Sequence, residues 1–157
     1  MKLLAQELTI HAPAEVLFAH LTDAQLFVNW MAPEAQLDAV AGGTIRWTHA
    51  NGDSCSGRFV ELVPARRVVF TYGWERPEVE IPPGTTTVEI DLVAESPTTT
   101  RLRLVHRGLD DLASDAHRGG WRHYLARLAA VSEGRDPGRD LLAASRVPTP
   151  AELRGAS

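Results

Sequence analysis

The sequence predicts an α+β domain: a curved antiparallel sheet wrapped around a long C-terminal helix, with two short helices after the first strand. Three observations predict it. From Thr44 to Arg107 β-branched and aromatic residues alternate with polar ones and are broken by tight-turn residues. From Asp115 to Glu133 the period changes: Trp121, Tyr124, Leu125, Leu128 and Val131 fall on one helical stripe, and Arg122, His123, Arg127 and Glu133 lie opposite. Between Pro13 and Val28 stand the start signals of two short helices. A helix with one broad aromatic stripe needs a concave apolar surface, and the apolar face of an antiparallel meander supplies one.

Taken in order, Lys2 to His11 alternates polar residues with leucines and reads as a first strand. Pro13 suits the first helical position, and Val16, Leu17 and Leu21 share a face of a helix ending at Leu21. Thr22 and Gln25 form a capping box for a second helix over Ala24 to Val28. The segment Asn29 to Pro33 ends the pair. Gly42-Gly43 is a bend, and Thr44 to His49 a strand with Ile45 and Trp47 on one face. Asn51-Gly52 tolerates positive φ and marks a hairpin, from which Ser54 to Val63 returns. Arg67 to Glu75 is the next strand, and the three prolines between Arg76 and Gly84 make an irregular loop. Thr85 to Glu95 and Thr99 to Arg107 are joined by Ser96-Pro97-Thr98; Val88, Ile90 and Leu92 share one face, as do Leu102, Leu104 and His106. For the long helix, Ser114 or Asp115 is the cap, Gly134 suits a left-handed C-terminal position, and Pro137 blocks continuation. The domain is expected over residues 1–134, with 135–157 a partly ordered, weakly packed tail in which Thr149-Pro150-Ala151-Glu152 starts a helical turn.

The totals narrow the function. At 157 residues one domain buries a sizeable core. A net charge of −4 with scattered arginines argues against nucleic acid. The single Cys55 excludes an intramolecular disulfide and any cysteine-based zinc site. No apolar run is long enough to span a membrane, and MKLLAQELTI lacks a signal-peptide pattern, so the cytoplasm is the expected compartment. There is no phosphate-binding glycine loop, no Gly-x-Ser-x-Gly elbow and no His-Glu-x-x-His pair. His117 and His123 fall on different helix faces and cannot share a metal; no cofactor is expected. Cys55 has no cation or histidine beside it in sequence, which disfavours a nucleophile. Gly119-Gly120 costs on the order of 1 kcal/mol per residue in a helix. Either a close backbone approach or a bend at the pocket mouth explains them, or both glycines lie in a loop and the helix starts at Trp121.

Ordered motifs carry a family resemblance. Phe27-Val28-Asn29-Trp30-Met31-Ala32-Pro33, Gly42-Gly43-Thr44-Ile45-Arg46, Asn51-Gly52-Asp53, Gly57-Arg58-Phe59-Val60-Glu61, Pro64 to Tyr72, and Gly120-Trp121 with Leu125 and Leu128 follow one another. In that order they resemble the activator-of-heat-shock-protein-90-ATPase homologue family of the START/Bet v 1-like (SRPBCC) superfamily, over residues 3 to 133. Met31 stands where a second Trp is usual in that family. The resemblance implies the helix-grip (Bet v 1-like) fold and a cavity between sheet and helix that relatives use for hydrophobic molecules. The Arg- and Ala-rich composition looks bacterial.

The expected wall of such a cavity is Trp30, Trp47, Phe59, Phe70, Tyr72, Trp74, Ile90, His106, His117, Trp121, Tyr124 and Leu125. Arg46 would anchor a carboxylate or phenolate if it, and not Trp47, faced inward. Three functions compete. The first is a non-catalytic binding module for a small hydrophobic or aromatic molecule, with no catalytic residue. The second is a cyclase- or dehydratase-like enzyme, with His106 as acid or base and Arg46 or Tyr72 steadying an oxyanion. The third is a chaperone-linked or regulatory partner protein acting through an apolar surface patch. Exposed strand edges permit a homodimer.

Overall fold

The computed structural model describes residues 3–155. Its strands are β1 (Leu4–Ile10), β2 (Glu34–Leu37), β3 (Thr44–Thr48), β4 (Ser54–Val63), β5 (Arg67–Tyr72), β6 (Thr86–Ser96) and β7 (Thr99–Arg107). The helices are α1 (Ala14–Thr22), α2 (Ala24–Phe27), α3 (Asp111–Ser132) and α4 (Pro150–Gly155). All strands join one antiparallel sheet in the order β1-β7-β6-β5-β4-β3-β2. Successive hairpins account for every neighbour except β1, which closes onto β7 from Leu4↔His106 to Ile10↔Thr100. The predicted first residue of that strand, Lys2, lies outside the described residues.

The sheet bends within β4. Its first half, Ser54 to Arg58, pairs with β3, its second half with β5, and the register shifts between Phe59 and Glu61. A Cβ on Gly57 would lie 1.9 Å from the Thr71 carbonyl oxygen, so only glycine allows this crossing. The bend makes the concave face that α3 occupies.

Several predicted boundaries move, each for a local reason. Pro13 is the residue before α1, its carbonyl accepting from Val16 and Leu17 N–H. Asp23, not Thr22, caps α2: its carboxylate accepts from Gln25 N–H at 2.9 Å, while the Thr22 hydroxyl turns back to Phe18 O. Strand β2 has no β-branched residue and was not predicted; it forms because the β3 edge offers it a ladder, Glu34↔Thr48 to Leu37↔Ile45. The strand predicted to reach Glu75 ends at Tyr72, after which Trp74 makes a single bridge to Cys55.

Helix α3 is about 33 Å long at 1.5 Å per residue. It starts four residues before the predicted Asp115, because Asp110 accepts from Ala113 N–H at 2.8 Å and so caps it in place of Ser114 or Asp115. Both Gly119 and Gly120 lie inside it, so the loop alternative is excluded. At its other end Gly134 takes φ +79° and Arg135 N–H reaches back to Ala130 O, the left-handed cap that the spacing predicts. The α3 stripe (Trp121, Tyr124, Leu125 and Leu128) is buried in one core with Leu17, Leu21, Phe59, Phe70, Leu102 and Leu104.

Candidate functional site: a cavity under the N-terminal half of α3

The α3 backbone approaches β1 and α1 and stands away from the middle strands. Large side chains therefore fill the intervening space, and toward the N-terminal half of α3 they leave a cavity of about 410 Å³. Strand-side residues Trp47, His49, Cys55, Tyr72 and Trp74 form one wall. Ala116, His117, Gly119, Gly120, Trp121 and Tyr124 form the helix wall, with Met31 at one end. A Cβ at Gly119 or Gly120 would meet nothing within 4 Å, so neither glycine serves a close approach of backbones. Their missing side chains instead leave the helix wall open.

Three tryptophan–histidine pairs organise the polar atoms. Trp121 Nε1–H donates to His106 Nδ1 at 3.0 Å. Because the Thr86 hydroxyl donates to Tyr72 O, His106 Nε2 must carry the proton and donate to Thr86 Oγ1 at 2.9 Å. Trp74 Nε1–H donates to His117 Nε2 at 3.0 Å, which leaves the His117 Nδ1 proton for Ala113 O at 2.8 Å. Trp47 Nε1–H donates to His49 Nε2 at 3.3 Å, and His49 Nδ1 faces the Tyr124 hydroxyl at 3.5 Å. An indole can only donate, so each pair fixes its imidazole as neutral. Burial acts the same way. It lowers the pKa of all three rings, and together with neighbouring His117 it brings His106 to about 3.

At the centre, the Tyr72 ring touches Trp47, Trp74, His106, His117 and Trp121. Its hydroxyl receives the Cys55 thiol at 3.7 Å, and burial raises both the phenol and the thiol well above their usual pKa values. Cys55 is thus a protonated, buried thiol.

The segment after α3 supplies the remaining wall through Leu142, Ser145, Arg146, Val147 and Pro148. It is tied down at both ends. The Arg127 guanidinium donates to Gly138 O at 2.9 Å, and Asp140 accepts from Tyr124 at 2.8 Å and pairs with His123 at 2.6 Å. Farther on, Asn51 donates to Ser145 O, Arg76 donates to Val147 O at 2.6 Å, and Arg146 pairs with buried Asp53 at 3.3 Å. Burial acts against the Asp140 carboxylate, but its bonds to His123 and Tyr124 outweigh that and hold its pKa below the usual range.

Of the residues expected to form the wall, Trp47, Tyr72, Trp74, His117, Trp121 and Tyr124 line the cavity. Trp30, Phe59, Phe70, Ile90 and Leu125 do not; they are packed into the solid core, where Trp30 Nε1–H is consumed by His20 O. His106 is fully buried behind Trp121, with both nitrogens used. Arg46 lies on the opposite sheet face from Trp47 and forms a two-pronged pair with Glu75 at 2.7 and 2.9 Å. It cannot anchor a ligand in this cavity, and it does not converge with His106. His49 and Cys55 were missed, although signals existed: His49 follows Trp47 by two residues, and Cys55 is the register partner of Trp47. The wall after α3 left no such signal, because it is held largely through backbone carbonyls. Among the described residues no cluster of three His, Cys, Asp or Glu could hold a metal, and no helix is long and apolar enough to cross a membrane.

No curated protein matches the chain. Solved structures do. An AHSA1-like protein from Rhizobium etli is 35% identical, with TM-score 0.67, covering 94% of this chain and 91% of its own. The Aha1 dimer from Colwellia psychrerythraea is 20% identical, with TM-score 0.70 and coverage of 85% and 97%; a protein from Chromobacterium violaceum is 24% identical, with TM-score 0.70 and coverage of 83% and 96%. The last two support the helix-grip fold. The family model described as "Activator of Hsp90 ATPase homolog 1-like protein" matches residues 11–133. With that match and the Rhizobium relative, the chain belongs to this family, and through it to the START/Bet v 1-like superfamily.

Proposed function

We propose that the protein binds a small hydrophobic or aromatic molecule in the cavity between the sheet and α3, without catalysing a reaction. The observation that carries this reading is an aromatic-walled space of about 410 Å³ whose histidines and indoles already satisfy one another. That volume falls in the range of roughly 300–1,000 Å³ usual for small-molecule sites. An apolar ligand entering it loses no hydrogen bond to the wall and gains about 25 cal/mol for each Å² of apolar surface removed from water. The enzymatic alternative needs His106 to meet Arg46 or Tyr72 at one point of the cavity. Arg46 lies on the opposite sheet face, and His106, though against the Tyr72 ring, has both nitrogens engaged by Trp121 and Thr86, which disfavours it as an acid or base.

The test is a titration with prodan, a neutral naphthyl ketone whose emission shifts to the blue in apolar surroundings, alongside native mass spectrometry of freshly isolated protein. A saturable blue shift with one site per chain is expected. A linear, unsaturable response together with a bare-chain mass would end the reading. A second reading concerns partners: the Colwellia relative is a dimer, and self-association of this chain is the corresponding proposal, checked by sedimentation equilibrium.

A further inference from the structure

The polar groups facing the cavity can be counted one by one. His49 and His117 each accept from an indole and donate their one proton elsewhere. Tyr124 donates to Asp140, and the Asn51 amide is spent on Ser145 O and Asp53 N–H. Ser145 and Arg146, at the rim, are exposed, so the Ser145 hydroxyl is open to water, and Arg146 already faces Asp53. Cys55 and Tyr72 remain. Between them they hold two protons and share one contact of 3.7 Å. A thiol sulfur at 3.7 Å is a weak partner in either direction, so the Tyr72 proton lacks a strong acceptor from the protein. A buried O–H in this state is a donor awaiting a partner.

From this count we infer that the Tyr72 hydroxyl selects the ligand: the cavity takes an uncharged, flat molecule carrying a carbonyl-type acceptor oxygen and rejects anions of the same shape. The inference rests on the binding reading above and sharpens it. An acceptor oxygen completes the one open hydrogen bond. A carboxylate would find no buried cation, only neutral imidazoles and one rim arginine that already has a partner, and desolvating it uncompensated costs more than a single neutral hydrogen bond returns.

Three naphthalenes of matched shape test it by quenching of the cavity tryptophans near neutral pH: 2-ethylnaphthalene, 2-acetylnaphthalene and 2-naphthoate. Tyr72→Phe is expected to weaken the ketone about fivefold, the worth of one neutral hydrogen bond, and to leave the hydrocarbon unchanged, which also reports an intact fold. 2-Naphthoate should not bind. The assignment is overturned if Tyr72→Phe affects ketone and hydrocarbon alike, if Cys55→Ala weakens the ketone relative to the hydrocarbon while Tyr72→Phe does not, or if 2-naphthoate binds as well as the ketone. If none of the three binds the wild-type chain, the cavity reading itself falls. If the hydrocarbon binds and only the ketone's response to Tyr72→Phe is missing, the cavity stands and Tyr72 is not its selector.

Discussion

The two halves of α3 face the same sheet and do opposite things. From Leu125 onward, Leu128 and Ala129 press into a core shared with Leu17, Leu21 and Phe27, and Arg127 ties the helix to Trp30 O. This half is filled. From Ala116 to Tyr124 the helix presents two glycines, an alanine and large rings whose polar atoms are bonded to other rings, and it leaves a cavity. Aliphatic side chains interdigitate and close space, whereas rings locked edge to face by indole–imidazole bonds hold their positions whether or not the space between them is full. The filled half therefore carries stability and the open half is the candidate for binding.

The largest expected effect breaks the filled half. Leu128→Ala should cost roughly 2–5 kcal/mol in chemical denaturation, because Leu128 is fully buried. Prodan affinity per folded molecule should barely change.

The open half should be read by acid. The folded pKa of His106, about 3, lies below an unfolded value near 6.5, so the unfolded chain binds more protons between those values. Stability is then fully present above about pH 6.5 and falls as pH drops toward 3, by up to about 1.4 kcal/mol per pH unit for this histidine. His117, lowered by burial, adds to the same slope. Unfolding midpoints measured from pH 7 to 4.5 check this, and His106→Gln should flatten the slope.

Gly120→Phe separates the halves most cleanly. The replacement has open space for its side chain and improves helix propensity by a few tenths of a kcal/mol or more. It should keep or raise the melting temperature and abolish prodan binding. A variant that binds normally would show that the helix wall does not bound the site.

The smallest effect belongs to the chain after α3. Ending the chain at Asp136 keeps the Gly134 cap and removes Leu142, Val147 and Pro148 from the cavity. Prodan affinity should fall about tenfold, as loss of one apolar wall on the order of 1–2 kcal/mol implies, with the fold retained by circular dichroism.

Much of this was legible in the residues, and the failures have physical causes. Alternation in β6 and β7 placed Ile90, Leu104 and His106 inward, and the stripe of α3 was readable from Trp121 to Leu128. Alternation alone could not say which of Arg46 and Trp47 faced the helix, since either choice satisfies a period of two; the pair with Glu75 decides it. Nor could it separate Phe59 and Phe70, which pack, from Tyr72, which lines a void, because all three occupy inward positions on neighbouring strands. Strand β2 was missed because its ladder is imposed by β3 and not by its own composition.

Local pattern by itself determined the order of elements, the face each strand turns inward and the left-handed stop at Gly134. These follow from side-chain period and backbone sterics, which act over a few residues. Only the tertiary structure decided that the space between sheet and helix is filled at one end and open at the other. A void is set by how distant side chains meet across it, and hydrogen bonds such as Trp74 to His117, 43 positions apart in the chain, are written into no local stretch of it.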